Sequence, residues 1–293
     1  MSDTTASATD LSLVLSVAQE AARLAGSTIV GALGSAGALQ EKSNSTDLVT
    51  ETDQKCEELI VKLLQEKFPA HKIIGEESNG SAKYELTDDP TWTIDPIDGT
   101  TNFVHSLKLS CVILSFLEQK IVQVAVVYDP YHDELFYATK GQGAFLIAKG
   151  GAPTPLQVSQ TKSLKQAVIT MDPGYGRGSV EVARFCNLQA AILQTGVRNL
   201  RILGSTGLVM ANVAAGRVDA AFEEGSWDTG LGPKIWDFAA GKLLIQEAGG
   251  LTRDIEASDF SNTELDVMKR SFFGAATPEL ANELLAIIAK DKK

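Results

Sequence analysis

Ile94-Asp95-Pro96-Ile97-Asp98-Gly99-Thr100-Thr101-Asn102-Phe103-Val104-His105 is the stretch on which the reading of this chain turns. Two acids, Asp95 and Asp98, flank Pro96 and Ile97, and a glycine with two hydroxyl residues follows at once. Carboxylates at this spacing can hold hard cations through oxygen, and the backbone carbonyl of Ile97 can complete such a shell. Gly99-Thr100-Thr101 can open a helix whose free backbone N–H groups face an anion. Metal and phosphate handling would then lie side by side, which metal-assisted hydrolysis of a phosphate ester requires.

Just upstream, residues 71–75 read as a short strand ending in Glu76-Glu77-Ser78, and residues 91–94 as another ending at Asp95. Glu76, Asp95 and Asp98 can therefore emerge at one end of a sheet. Acids gathered in this way repel one another, and divalent cations remove the repulsion. The donors are all oxygen and no Cys or His motif competes, which favours Mg²⁺ over Zn²⁺. A solvated acidic loop is the competing reading, and spacing alone does not decide between them. A calcium loop of the EF-hand type fails, because its third, fifth and twelfth positions would be Ile97, Gly99 and Ser106.

Farther out, residues 11 to about 34 read as an Ala- and Leu-rich helix, and a polar stretch over 34–47 breaks the pattern. Lys42 sits there beside Ser43, Asn44 and Ser45 and reads as a loop lysine, in the first instance a solvated one. A second helix is predicted over about 53–68, from the stripe Cys56, Leu59, Ile60, Leu63 and Leu64. Thr50 or Thr52 can cap it, and Asp53 falls in its first turn, where spacing alone makes it a helix-start acid. Segments 110–117, 120–128, 134–139 and 144–147 form an antiparallel meander with both faces at least partly covered. The second half alternates strands at 167–171, 199–203 and 218–223 with helices at 180–194, 205–215, 235–248 and 278–289. The organisation is a loose tail over 1–10 and one domain over 11–293. Its halves meet near 150–155, with metal binding assigned to 11–150 and substrate binding to 151–293.

The formal net charge is −11, from 37 acids against 26 Lys and Arg. That balance excludes a nucleic-acid or acidic-membrane partner, and a phosphate substrate then requires bound cations to reverse the local field. Three cysteines do not suggest a disulfide framework and point to a reducing, cytoplasmic compartment. Residues 1–10 lack the pattern of a secretion signal, and no stretch approaches the roughly 20 apolar residues of a membrane span. Cys111 reads as core, and His71, His105 and His132 as structural residues. A further acid is needed for a two-ion site, and two Trp-Asp pairs offer one, Trp227-Asp228 and Trp236-Asp237. Asp228 lies in a Gly-rich loop and reads as a turn residue, whereas Asp237 stands at a helix start.

Taken together, these blocks resemble the inositol monophosphatase family. The resemblance rests on Gly75-Glu76-Glu77-Ser78, on 95–105, on Trp236-Asp237 with Glu247-Ala248-Gly249-Gly250, and on 47–53. It implies an α/β (α+β) fold of layered α/β/α/β/α type, dependence on two or three Mg²⁺ ions, inhibition by Li⁺ and a homodimer. It carries the metal ligands onto Glu76, Asp95, the Ile97 carbonyl, Asp98 and Asp237. It places Asp53 and Thr100, with Glu76, at the attacking water. The phosphate falls against the N–H groups of Gly99 and Thr100, and the mobile-loop lysine on Lys42. Substrate hydroxyl contacts fall on Asp98, Glu223 and the Gly204-Ser205-Thr206 helix start. The chain departs from the family pattern by extra residues at about 226–234, on the ring-binding side. Three readings stay open: an inositol monophosphatase, a related phosphatase for a sugar phosphate or nucleotide 3′-phosphate, and a non-catalytic metal-binding scaffold.

Overall fold

The computed structural model describes residues 9–35, 39–42, 48–80, 82–255 and 263–291. The expected N-terminal tail, apart from Thr9 and Asp10, and residues 43–47 beyond Lys42 lie outside them. The first half runs α1 (Leu11–Ala32), β1 (Leu39–Glu41), β2 (Leu48–Thr50), α2 (Glu51–Lys67), β3 (Lys72–Gly75), α3 (Glu76–Asn79), β4 (Thr91–Asp98) and α4 (Thr100–Val104). The meander follows as β5 (Cys111–Glu118), β6 (Ile121–Asp129), β7 (Glu134–Thr139), β8 (Ala144–Ala148) and β9 (Thr154–Pro155). The second half runs β10 (Val168–Met171), α5 (Ser179–Gln194), β11 (Asn199–Arg201), α6 (Thr206–Ala214), β12 (Ala220–Glu223), α7 (Ile235–Glu247), β13 (Leu251–Arg253), β14 (Phe272–Ala275) and α8 (Pro278–Asp291).

Side-chain alternation explains the layering. In β5, Val112, Leu114 and Phe116 point into one core while Cys111 and Ile113 point into another. In β6, Val124 and Val126 face the first core and Ala125 and Val127 the second. A strand apolar on both faces must be covered on both. The sheet β3-β4-β5-β6-β7-β8-β9 accordingly carries α1 and α2 on one side and α6 and α7 on the other. The second sheet, β11-β10-β12-β14-β13, packs its inner face on α6 and α7 and its outer face under α5 and α8. The result is the expected α/β/α/β/α order. Pairing is antiparallel from β4 to β9, while β3 runs parallel to β4 and β10 parallel to both β11 and β12.

The structure corrects the sequence reading at several elements. The polar stretch before Asp47 contains β1, which pairs antiparallel with β2, so Lys42 directly follows a strand instead of lying inside a long loop. The strand expected to stop at Asp95 runs on to Asp98, with an irregular register between the two acids. Both acids therefore belong to β4 itself. Strands β13 and β14 were not foreseen, because three- and four-residue strands carry no readable periodicity and β12 and β13 pair with β14 from a distance. The second helix starts two residues early, at Glu51. Its cap is Thr50, whose backbone N–H donates to Asp53 while Asp53 N–H faces the Thr50 hydroxyl.

Layers this close need small residues at their contacts. A methyl group on Gly26 of α1 would stand 2.5 Å from the Tyr128 ring, which is held by a 3.0 Å hydrogen bond from its hydroxyl to Asp133. A methyl on Gly31, five residues on, would meet nothing within 4 Å. Gly26→Ala is expected to cost about 1–3 kcal/mol through overpacking. Gly31→Ala is expected to be neutral or to stabilise by up to about 1 kcal/mol through helix propensity. Urea denaturation of the two variants checks the contrast, and equal effects would contradict this packing.

Candidate active site

The site is built on the C-terminal end of β4. Asp95 and Asp98 are 1% and 8% exposed. The Ile97 N–H donates to Asp95 Oδ1 at 3.0 Å, which fixes the turn across Pro96. Asp237 arrives from the third position of α7, where its carboxylate accepts the Lys234 N–H. Carboxylate oxygens of Asp95, Asp98 and Asp237 lie within 4.8 Å of one another. The alternative, Asp228, is exposed on a hairpin closed by a bridge between Ser226 and Leu231.

Gathering these acids is electrostatically costly. Burial raises Asp95 well above the carboxylate range, and the charges of Glu76, Asp98 and Asp237 raise it further. Burial pushes Asp237 up to about 7, again helped by Glu76 and Asp98. Asp98 is pushed up to about 6 by burial, against hydrogen bonds that hold it down. Burial raises Glu223 well above its ordinary value, with Asp172, Asp237 and Asp98 adding repulsion. Buried carboxylates with oxygens this close form the donor set of a hard divalent cation, which would relieve their repulsion. The residues present therefore fit a metal ion.

Asp98 has a second task. Its Oδ2 accepts from the Ser205 hydroxyl at 2.6 Å and the Gly207 N–H at 2.7 Å, and its Oδ1 accepts the Thr206 N–H at 3.1 Å. A carboxylate on the first sheet thus caps α6, whose N-terminal dipole favours it. Ser205 and Thr206, expected at the substrate, hold Asp98 with these groups. The third member of that stretch, Gly204, donates its N–H to Asp172 at 2.8 Å. Asn102 fastens the other side, donating to the carbonyls of Leu109 at 2.8 Å and Leu203 at 2.7 Å. Gly99 takes φ +89°, and a side chain there would meet the carbonyls of Gly204 and Leu109 at 2.9 Å.

Thr100 and Asp53 meet across the site. Thr100 Oγ1 lies 3.1 Å from Asp53 Oδ1 and 3.0 Å from the Ile97 carbonyl oxygen. Burial pushes Asp53 up to about 6, against the Thr50 hydroxyl, which holds it down. On the far side Lys42 Nζ is 2.8 Å from both Glu76 and Glu77. Burial opposes the ammonium charge, but the pull of Glu76 and Glu77 wins and holds Lys42 above its ordinary value. A cavity of about 350 Å³ opens over these groups, lined by Asp98, Gly99, Thr100, Asp172, Glu223 and Asp237.

With that geometry in place, comparison with known proteins is decisive. The sequence profile described as "Inositol monophosphatase family" matches residues 10–293. The chain belongs to the inositol monophosphatase family. It is 42% identical over 250 residues to inositol monophosphatase 2 of Solanum lycopersicum, covering 84% of this chain and 89% of that one. It is 34% identical over 264 residues to inositol monophosphatase 1 of Sus scrofa, covering 90% and 89%. Among solved structures, an IMPase of Thermotoga maritima superposes with a TM-score of 0.79 at 28% identity, covering 96% of this chain and 97% of that one.

Three residues of this family member escaped the sequence reading. Asn102 stood inside the quoted motif without a role. Asp172 directly follows β10 and precedes Pro173, as Asp95 precedes Pro96, and that Asp-Pro pattern was its signal. Glu57 lies one turn after Asp53 in the apolar stripe of α2, where an acid is out of place. It is 5% exposed and accepts the N–H groups of Glu77 and Ser78, both at 2.8 Å. It thereby sets the start of α3, which carries Glu76. Glu57→Ala strands two half-buried donors, with an expected cost of about 1–3 kcal/mol. A thermal midpoint lowered by several degrees would bear this out, and an unchanged midpoint would remove Glu57 from the account.

Proposed function

We propose that this chain is a Mg²⁺-dependent, Li⁺-inhibited phosphomonoesterase that hydrolyses inositol monophosphate to inositol and phosphate. The observation that carries the reading is the convergence of Asp95, Asp98 and Asp237 beside the Thr100–Asp53 pair. These acids, with Glu76 and the Ile97 carbonyl, would hold two or three ions, which supply charge to offset the phosphate and acidity to a bound water. The chain's own groups then do the following. The Thr100 hydroxyl, turned toward Asp53, leaves its lone pairs to accept a proton from the attacking water. Asp53, raised to about 6, takes up that proton through the hydroxyl near neutral pH. The N–H groups of Gly99 and Thr100 face the phosphate oxygens at the start of α4. Glu223, driven toward its neutral form, can both donate to and accept from a ring hydroxyl. Water attacks phosphorus, the ester P–O bond breaks, and the alcohol oxygen leaves with a proton. No covalent intermediate on the protein is required.

Li⁺ inhibition follows from the same acids, which would admit an ion carrying too little charge to serve the reaction. A homodimer is the proposed assembly. Exposed apolar side chains at Leu107 and Ile202 support it, on two loops that Asn102 ties together.

Asp95→Asn removes one charge from the cluster. Phosphate release from inositol 1-phosphate is expected to fall by about a hundredfold or more. The metal-free variant should melt above the parent while its stabilisation by Mg²⁺ shrinks. Near-normal Mg²⁺-dependent turnover would refute the assignment. Thr100→Val is expected to lower kcat by about 10²–10⁴-fold with little change in KM, and Thr100→Ser to restore most of it. Steady-state kinetics that fail to separate the two substitutions would exclude the proton-accepting hydroxyl.

A further inference from the structure

A second cavity, of about 330 Å³, opens beside the first. The two share Asp172, Pro173, Gly174, Tyr175, Glu223 and Gly232, so they are adjoining chambers with Glu223 in the common wall. Their chemistry differs. The first is ringed by carboxylates, whereas the second sets Met171, Val180, Phe185, Leu188, Phe222 and Leu231 on its walls, with Glu181 joining the shared acids Asp172 and Glu223. At its rim Arg184 is bonded to Glu224 through two contacts of 2.8 Å. Val180 at its mouth is 74% exposed and Tyr175 44%.

The wall on the Leu231 side is the hairpin closed by the bridge between Ser226 and Leu231. It is firmly built. The Arg270 guanidinium donates to the carbonyls of Gly230 at 3.1 Å and Pro233 at 2.9 Å. Trp227 covers that guanidinium at 4.8 Å and anchors its own N–H on the Met268 carbonyl at 2.8 Å. Residues 226–233 thus form a braced hairpin with the chamber behind it. A ring carrying a hydroxyl on every carbon gains little against Met171, Phe185, Leu188 and Phe222, since a hydroxyl turned onto those side chains would lose water without a partner there. An apolar group on the alcohol of a phosphate ester gains its full transfer energy there.

We propose that this chamber is a second substrate subsite, which takes an aromatic ring carried on the alcohol of a phosphomonoester whose phosphate sits at the acid cluster. The inference rests on the phosphatase reading. The chemistry is the same hydrolysis, with water adding to phosphorus and the arylalkyl alcohol leaving with its proton.

The test compares 3-phenylpropyl phosphate, propyl phosphate and inositol 1-phosphate with Mg²⁺, by phosphate release. The phenyl ring is expected to lower KM about ten- to a hundredfold relative to propyl phosphate. Leu231→Trp fills the chamber, and Val180→Trp blocks its mouth from an exposed position that folding does not depend on. Either should abolish the phenyl advantage, and Val180→Trp should do so while leaving inositol 1-phosphate kinetics unchanged. Equal KM for the two propyl esters, or an advantage that survives both tryptophans, overturns the subsite alone. No release from any of the three esters overturns the phosphatase reading and the subsite with it.

Discussion

The structure is organised around a repulsion. Asp95, Asp98, Glu223 and Asp237 are brought to one place, where burial and mutual charge push each toward its neutral form. A core selected only for stability has no use for such a cluster, because apolar residues of similar volume would serve it better. The chain tolerates the arrangement because the acids are tied down one by one. Asp98 is held by the start of α6, Asp237 by the Lys234 N–H, and Asp95 by the Ile97 N–H. Those bonds hold the charges at a spacing that a divalent cation matches.

The same bonds join the layers. β4 belongs to the first sheet and α6 to the helix layer between the sheets, and Asp98 links them directly. Asp237 sits at the start of α7, the other helix of that layer. The site therefore lies at the ends of two helices and one strand, which rigid packing holds in register. Glycines carry the close contacts that this packing requires, as Gly26 does against Tyr128 and Gly99 against the Gly204 carbonyl. Behind this shared centre the braced hairpin adds a wall of a different chemical character, so one chain offers an ionic chamber and an apolar one side by side.

Much of this was legible in the linear sequence. The alternation in β6 predicted a strand covered on two faces, and the stripe from Cys56 to Leu64 predicted α2. The meander and most helix positions followed from the same periodicities. What escaped was short or non-local. β13 and β14 are too brief to show a period and exist through their partners. Glu57 was unread because its acceptor role depends on two N–H groups 20 and 21 residues away.

The sequence by itself determined the chemistry: oxygen donors set beside a glycine-threonine turn, in an order shared with the inositol monophosphatases. Covalent spacing within Asp95–Thr100 is short enough that almost any fold would keep those groups together. Only the tertiary structure decided which distant residues join them. It drew in Asp237 and left Asp228 at the surface, gave the Ser205 hydroxyl and Thr206 N–H to Asp98, and turned the hairpin at Ser226–Leu231 into the wall of a chamber. The physical reason is that convergence across more than a hundred residues is set by how layers pack, and no local rule of spacing or propensity contains that information.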